Sequence, residues 1–266
     1  MLQSITKYIT SIVLALVCLI NSFGNLIGVG DIIVTEPAET TLTSQDPTYD
    51  DSEDPDSDMT RAQLAAFLNS ESAKIAENGS YKLSRTSSYT DPVDVGAGTD
   101  ALNKLIEGIS DGDNIDTVVG GFLRIGTVTA EIPDDYADDD FLIKATALTA
   151  DDIKNFKYEN GIYKFTLENV SNPKKTGETS FSRFTNDFYT HEEVVAGIAE
   201  FTSAVTVEDS NVDYKDINVE LTVENGKIKS LRYSYNFDAA MTLKFVVKIN
   251  GTLSATTANS YSEIEY

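Results

Sequence analysis

The chain has 266 residues, a net charge of −23 and one cysteine, Cys18, and 41% of its residues are hydrophobic. That length and apolar content suffice to bury a core without staples. The negative field argues against nucleic acid and against contact of the folded part with anionic membranes. A leader cysteine with none after it excludes a disulfide framework, a thiolate zinc site and a cysteine nucleophile from the folded part.

Residues 1–30 have the form of an export signal: Lys7, an apolar run from Ile9 to Ile20, then small and polar residues with candidate cleavage sites at Ser22–Gly24 and Gly28–Gly30. The run is shorter than the roughly 20 residues a membrane span requires. A cleaved signal peptide and a retained anchor both fit, placing the chain as secreted or held at the outer face of the cytoplasmic membrane. Residues 31–58 carry ten acids and no base, with Pro, Ser and Thr between them. So little apolar surface cannot offset the entropy of ordering, and the stretch is expected to be a disordered, self-repelling linker. Residues 59–266 are expected to form a single domain.

A helix is expected from about Thr60 to Ala76, capped by Ser57 or Asp58, with Leu64, Phe67, Leu68 and Ile75 on its apolar face and Asn78-Gly79 ending it. Tyr81 to Tyr89 reads as a polar-rich strand with Tyr81 and Leu83 inward. Thr99-Asp100 opens a second helix carrying Leu102, Leu105, Ile106 and Ile109. Asp111–Asp116 superficially matches a calcium loop. Its spacing fails, because Ile115 takes a ligand position and Asp116 the position that requires glycine, so a solvated helix-to-strand loop is expected. Phe122–Ile132 should form one or two strands broken at Gly126, Asp134–Asp140 an acidic loop, and Thr149–Asp152 a single capped helical turn.

Asn-Gly between alternating apolar runs marks a two-residue hairpin, since a type I′ turn needs positive φ at both central positions. It occurs three times. At Asn160-Gly161 the register pairs Tyr158 with Tyr163 and Phe156 with Phe165, with Leu167 on the same face and Lys157, Lys164 and Thr166 on the other. At Asn225-Gly226, Val219, Leu221, Val223 and Ile228 share a face. The parity then shifts to Leu231, Tyr233, Tyr235 and Phe237, which requires a β-bulge near Lys229-Ser230. At Asn250-Gly251 the strand Met241, Leu243, Phe245, Val247, Ile249 is expected to face Thr252, Ser254 and Thr256. Between the first two hairpins, Asn172–Gly177 is a turn with Lys174-Lys175 at its basic tip. Thr190–Glu193 is a capping box for a helix presenting Val194, Ile198, Phe201 and Val205, with His191 in its exposed first turn.

The expected class is therefore α+β: a curved antiparallel β-sheet of tandem hairpins packed against two or three helices. Helices ahead of long hairpins, with LTVENGKIKSLRYSY near the end, resemble exported proteins built on the LolA/LppX half-barrel. That resemblance implies a sheet wrapped around helices and a hydrophobic cavity for lipid or lipoprotein acyl chains. It carries over no functional residue, and Val17 before Cys18 departs from a lipoprotein signal.

The chain lacks a phosphate-cradling glycine loop, a His-Glu-x-x-His pair and a Gly-x-Ser-x-Gly elbow. His191 is its only histidine. No catalytic residue, metal ligand or cofactor is implied, and a non-catalytic binding role is expected, with a paired-carboxylate hydrolase as the weaker reading. The rings of Phe156, Tyr158, Tyr163, Phe165, Tyr233, Tyr235 and Phe237 either line a site for a hydrophobic small molecule or lipid, or fill the core. The other expected partner is a cell-envelope protein met through loops or an edge strand, with membrane contact confined to the N-terminal segment.

Overall fold

The structure, a computed structural model, describes residues 47–54, 57–107, 114–201, 206–244 and 248–266. The expected leader lies outside these residues, as do most of the acidic stretch and Asp111–Asp113. So do Ile109 and Val205, and the side chains of Leu102, Leu105, Ile106, Ile198 and Phe201. No described helix is long and apolar enough to cross a membrane.

The first helix, α1 (Arg61–Asn78), is capped by Thr60, whose side chain and that of Gln63 form a reciprocal capping box. The cap thus falls two residues beyond Asp58, because Thr60 is the residue with Gln three positions on. Leu64, Ala65, Leu68 and Ile75 are buried, and Phe67 packs partly buried against the same core. The helix ends at Gly79, where a Cβ would lie 2.6 Å from the Ile75 carbonyl oxygen.

Strand β1 (Ser80–Asp94) follows, then α2 (Thr99–Glu107), α3 (Ile115–Phe122) and β2 (Gly126–Ile132). Helix α3 corrects the loop-to-strand expectation for this region: Asn114 accepts a hydrogen bond from Thr117 N and nucleates a helix. Strands β3 (Lys154–Glu159), β4 (Ile162–Leu167) and β5 (Val170–Ser171) precede two short helices, α4 (Ser180–Phe184) and α5 (His191–Phe201). Three long strands complete the chain: β6 (Thr206–Glu224), β7 (Lys227–Lys244) and β8 (Lys248–Glu265). The described strands form one open, curved, eight-stranded sheet in the order β2-β1-β8-β7-β6-β4-β3, with β5 beside β6. Every pairing is antiparallel. The α+β class with a curved antiparallel sheet is therefore the observed one.

Register follows the hydrophobic alternation, since a one-residue slip would turn each apolar set to solvent. Tyr158 pairs with Tyr163 as expected. Phe156 and Phe165 are both buried, but Lys154 pairs with Thr166, so the strand bulges at Asn155, whose φ is 51°. Across the Asn225-Gly226 turn, Val223 pairs with Ile228 and Thr222 with Ser230, leaving Lys229 as the bulged residue the parity shift demanded. Two further bulges, at Asp216 (φ 51°) and Glu263 (φ 54°), bend β6 and β8.

The third turn is corrected. Strand β7 ends at Lys244 and β8 begins with its partner Lys248, so Asn250 pairs with Thr242 and Gly251 with Met241 inside the ladder. Neither takes a positive φ. This register sets Leu231, Tyr233, Tyr235 and Phe237 opposite Tyr261, Asn259, Thr257 and Ala255, while β8 also pairs along β1. A strand hydrogen-bonded on both sides outweighs one local turn preference.

The three glycines provide a direct check. Replacing Gly226 (φ 72°) or Gly161 (φ 81°) by alanine forces a Cβ into the left-handed region and should cost about 1 kcal/mol or more. Gly251→Ala sits in a strand, where its Cβ meets Val95 Cγ1 at 3.5 Å, and should be neutral or stabilising by up to about 1 kcal/mol. Urea midpoints of the three variants decide it; a Gly251→Ala loss matching the other two would contradict the register.

Candidate functional site

The inner face of the sheet is where the chemistry concentrates. On β1, alternation turns Tyr81, Leu83, Arg85 and Ser87 inward, and on β8 Ala255, Thr257, Asn259 and Tyr261. Strand β7 adds Leu231, Tyr233, Tyr235 and Phe237, and β6 adds Tyr214, Ile217, Val219 and Leu221. Of the residues expected to form an apolar binding face, all but half-buried Tyr158 are fully buried. They share one face but not one patch. Phe156, Tyr158, Tyr163 and Phe165 lie at the β3–β4 corner, with β6 between them and the rings of β7.

Beside α1, two largely non-helical segments pack into this core: residues 137–153, mostly irregular, and residues 179–190, which include α4. Phe181 packs 5.2 Å from Tyr214 and 5.3 Å from Tyr235 between ring centroids, and Phe184 lies edge-on to Tyr233 at 5.2 Å. Phe188 contacts both Phe181 and Tyr214. At the corner, the Tyr158 and Tyr163 rings lie 4.7 Å apart and the Tyr163 hydroxyl donates to Asp58. The predicted face is thus occupied by the chain's own side chains.

The tyrosine hydroxyls do a second job, because irregular backbone brought into a core must find hydrogen-bond partners. Tyr261 donates to the Phe141 carbonyl at 2.8 Å, and Ile143 N donates to the Tyr81 hydroxyl at 3.1 Å. Tyr235 donates to the Asp187 carbonyl at 2.8 Å, and Tyr189 N donates to the Tyr214 hydroxyl at 2.8 Å. Tyr233 links Thr185 Oγ1, at 3.0 Å, to the Tyr261 hydroxyl, at 3.3 Å. Burial pushes Tyr214, Tyr233, Tyr235 and Tyr261 well above the ordinary phenol value.

Beside these phenols lies a buried ion pair. Arg85 Nε is 3.1 Å from each Asp187 carboxylate oxygen, and both side chains are under 5% exposed. Arg85 Nη1 donates to the Arg124 carbonyl at 2.9 Å, Asn259 Nδ2 donates to Asp187 Oδ2 at 2.8 Å, and the guanidinium stacks 4.4 Å over Phe141. Burial opposes the charge on Arg85, yet the neighbouring Asp187 carboxylate overrides it and holds the arginine above its ordinary value. Asn259 Oδ1 has no hydrogen-bond partner. The bonds from Arg85 and Asn259 to Asp187 tie the 179–190 segment to β1 and β8.

The rest of the expected chemistry is placed as follows. His191 is half-buried rather than exposed, its Nδ1 bonded to Ser210 Oγ across the α5–β6 junction. Lys175, expected at a basic loop tip, reaches back to Asp140 at 2.9 Å and Glu193 at 2.7 Å. Arg124 pairs with Asp138 at 2.9 Å, so two of the five aspartates of the 134–140 loop, Asp138 and Asp140, are ion-paired. Among the described residues no three His, Cys, Asp or Glu side chains gather as a metal site would require.

Sequence reasoning missed Arg85, Asp187, Asn259, Tyr214, Tyr261 and the Phe181–Phe188 segment. Only Arg85 left a usable signal: as a charge in phase with Tyr81 and Leu83, it had to point inward. No family model, curated protein or solved structure matches the chain.

Removing either partner of the ion pair strands a buried charge and should cost about 3–5 kcal/mol, whereas removing both costs much less than the sum. Arg85→Met, Asp187→Leu and the double variant, compared by urea unfolding, should show this coupling; additive losses would contradict it. The phenols set a pH limit. Because their folded pKa values are raised, their contribution is complete below about pH 10, the unfolded phenol value, and is lost as pH rises above it. Absorbance at 295 nm should show a fraction of the tyrosines ionising only together with unfolding. Full ionisation of the folded chain near pH 10–11 would refute their burial.

Proposed function

We propose that this chain is a non-catalytic binding domain working outside the cytoplasmic membrane, and that it engages an envelope protein through the outer face of its sheet. The observation that carries this reading is the contrast between the two faces. The inner face is filled by Phe181, Phe184 and Phe188, so a lipid seated there would have to displace them. The outer face presents Ser84, Thr86, Thr127, Thr129, Asn218, Asn236 and Arg232, all exposed, with Ser234, Thr256 and Ser260 half-buried at the centre. The strand ladders set the short side chains among them side by side: Thr86 next to Thr127, Ser84 next to Ser260, Asn236 next to Thr256.

Such a surface suits a protein partner. Hydroxyl and amide groups both donate and accept hydrogen bonds, and short side chains lose little rotamer entropy when immobilised. Thr256 Oγ1 already donates to Asn236 Oδ1 at 2.7 Å, and Asn236 Nδ2 to Asp216 Oδ2 at 2.9 Å, so part of the surface is pre-ordered. The net charge of −23 favours a cationic partner and supports solubility outside the cell. The leader-like residues 1–30 and the acidic stretch behind them support export and display at a distance from the membrane.

Three results test the reading. Residues 1–30 placed before a phosphatase that is active only outside the cytoplasm should yield active enzyme; an inactive fusion removes the localisation. A photo-crosslinking residue at position 86 should give one discrete adduct in cells, and Ser234→Arg with Thr256→Arg should reduce it at least tenfold at unchanged thermal stability. Adducts from the β3–β4 tip instead, or a co-purifying lipid in native mass spectra, would overturn the assignment to the outer face.

A further inference from the structure

Strand β3 is an outer edge of the sheet, and edge strands leave N–H groups pointing away from their neighbours. In the type I′ hairpin, Tyr158 falls at a position whose N–H points outward. That N–H donates to Asp54 Oδ2 at 2.8 Å. At the bulge, Asn155 N donates to the Asp50 carbonyl at 2.7 Å while Asp50 N donates to Asn155 Oδ1 at 2.9 Å. The end of the acidic stretch, expected to be part of a disordered linker, is thus laid along the edge.

The contacts around it are those of a recognition site. Lys154 Nζ, on a side chain 11% exposed, lies 3.0 Å from Asp51 Oδ1, and Arg61 Nη1 approaches the same oxygen at 3.5 Å. Arg61 N donates to Glu53 Oε2 at 2.8 Å, and the Tyr163 hydroxyl donates to Asp58. Upstream, Asn169 N donates to the Tyr49 hydroxyl at 2.9 Å. The paired Asp51 carboxylate, with Glu168 also near, raises the pKa of Lys154 above its ordinary value. Two cations and two outward N–H groups meet the acidic residues 50–54, Asn155 N through the Asp50 carbonyl and Tyr158 N through the Asp54 carboxylate.

We propose that this edge is a binding site for an acidic peptide, held closed in cis by the chain's own residues 49–54. The guard is displaceable by its composition. Asp51 and Glu53 remain about half exposed, so water and salt compete for the carboxylate side of each pair. Tethering compensates: a short linker gives an effective concentration on the order of 1 mM, so a free peptide at micromolar levels is excluded until the guard lets go. This site is separate from the outer face, and neither reading depends on the other.

The test uses the full chain with Asp51→Lys, Glu53→Lys and Asp54→Lys, and a fluorescein-labelled peptide of residues 47–58 as probe. Amide exchange at Tyr158 should quicken in the variant, and the peptide should bind it at least tenfold more tightly than the parent chain. Adding Lys154→Glu should abolish that gain. A variant that keeps its melting temperature yet binds no better than the parent, or binds an amidated Asn/Gln peptide equally, overturns the proposal. So does unchanged protection of Tyr158, which would mean the carboxylates do not hold the guard. If the triple variant fails to fold, Asp54→Lys alone is read by the same criteria.

Discussion

The structure depends on hydrogen bonds between tyrosine hydroxyls of a sheet and the backbone of irregular segments lying on it. A curved sheet can bury its concave face beneath helices, whose backbones satisfy themselves. Here much of the cover is non-helical, and its carbonyl and N–H groups would be stranded in the core. Tyr81, Tyr214, Tyr235 and Tyr261 answer Ile143, Tyr189, Asp187 and Phe141. Each bond contributes only about 1 kcal/mol net, but leaving its backbone partner unmet costs roughly 1–3 kcal/mol. The phenols therefore set which loop conformation can be buried, more than they add stability.

The Arg85–Asp187 pair extends the same logic to charge. Asp187 sits on the cover and Arg85 on the sheet, so each ion is tolerable only when the cover is in place. The carboxylate also receives Asn259 Nδ2, and the guanidinium also serves the Arg124 carbonyl. The network fixes one seating of residues 179–190 against β1 and β8. Phe181, Phe184 and Phe188 then fill the space that a lipid carrier would leave open. The curved antiparallel sheet of the expected α+β class is thus present, with its inner face filled by the chain's own side chains.

Local chemistry was legible in the sequence. Two of the three Asn-Gly turns, the Lys229 bulge, the Thr149 and Thr190 caps and the apolar face of α1 follow from spacing alone. The turn at Asn250-Gly251 failed because β8 pairs on both sides, a tertiary fact that a local motif does not contain. Helix α3 was hidden by an acidic run that resembled a loop, although Asn114 is a competent cap. Tyr233 and Tyr235 point inward as their alternation predicts, but their hydroxyl partners lie at Thr185 and Asp187, nearly fifty positions away. Side chains that satisfy remote backbone leave no periodic trace. The order at Asp50–Asp54 was likewise illegible, since composition describes the segment and not the edge that receives it.

Two kinds of surface result from a core closed in this way. One is the broad polar outer face; the other is the β3 edge, where Asn155 N bonds the Asp50 carbonyl and Tyr158 N the Asp54 carboxylate. Both assignments require the cover to be a fixed part of the body. Native-state amide exchange tests that requirement most directly, through the N–H groups of Ile143 and Tyr189, which bond to the phenols of Tyr81 and Tyr214. The account predicts that they exchange only by global unfolding, with the same free energy as Leu221 and Tyr233 in the central strands. Exchange of Ile143 and Tyr189 several kcal/mol below that limit, with the strands still protected, would show a cover that opens and would contradict the account.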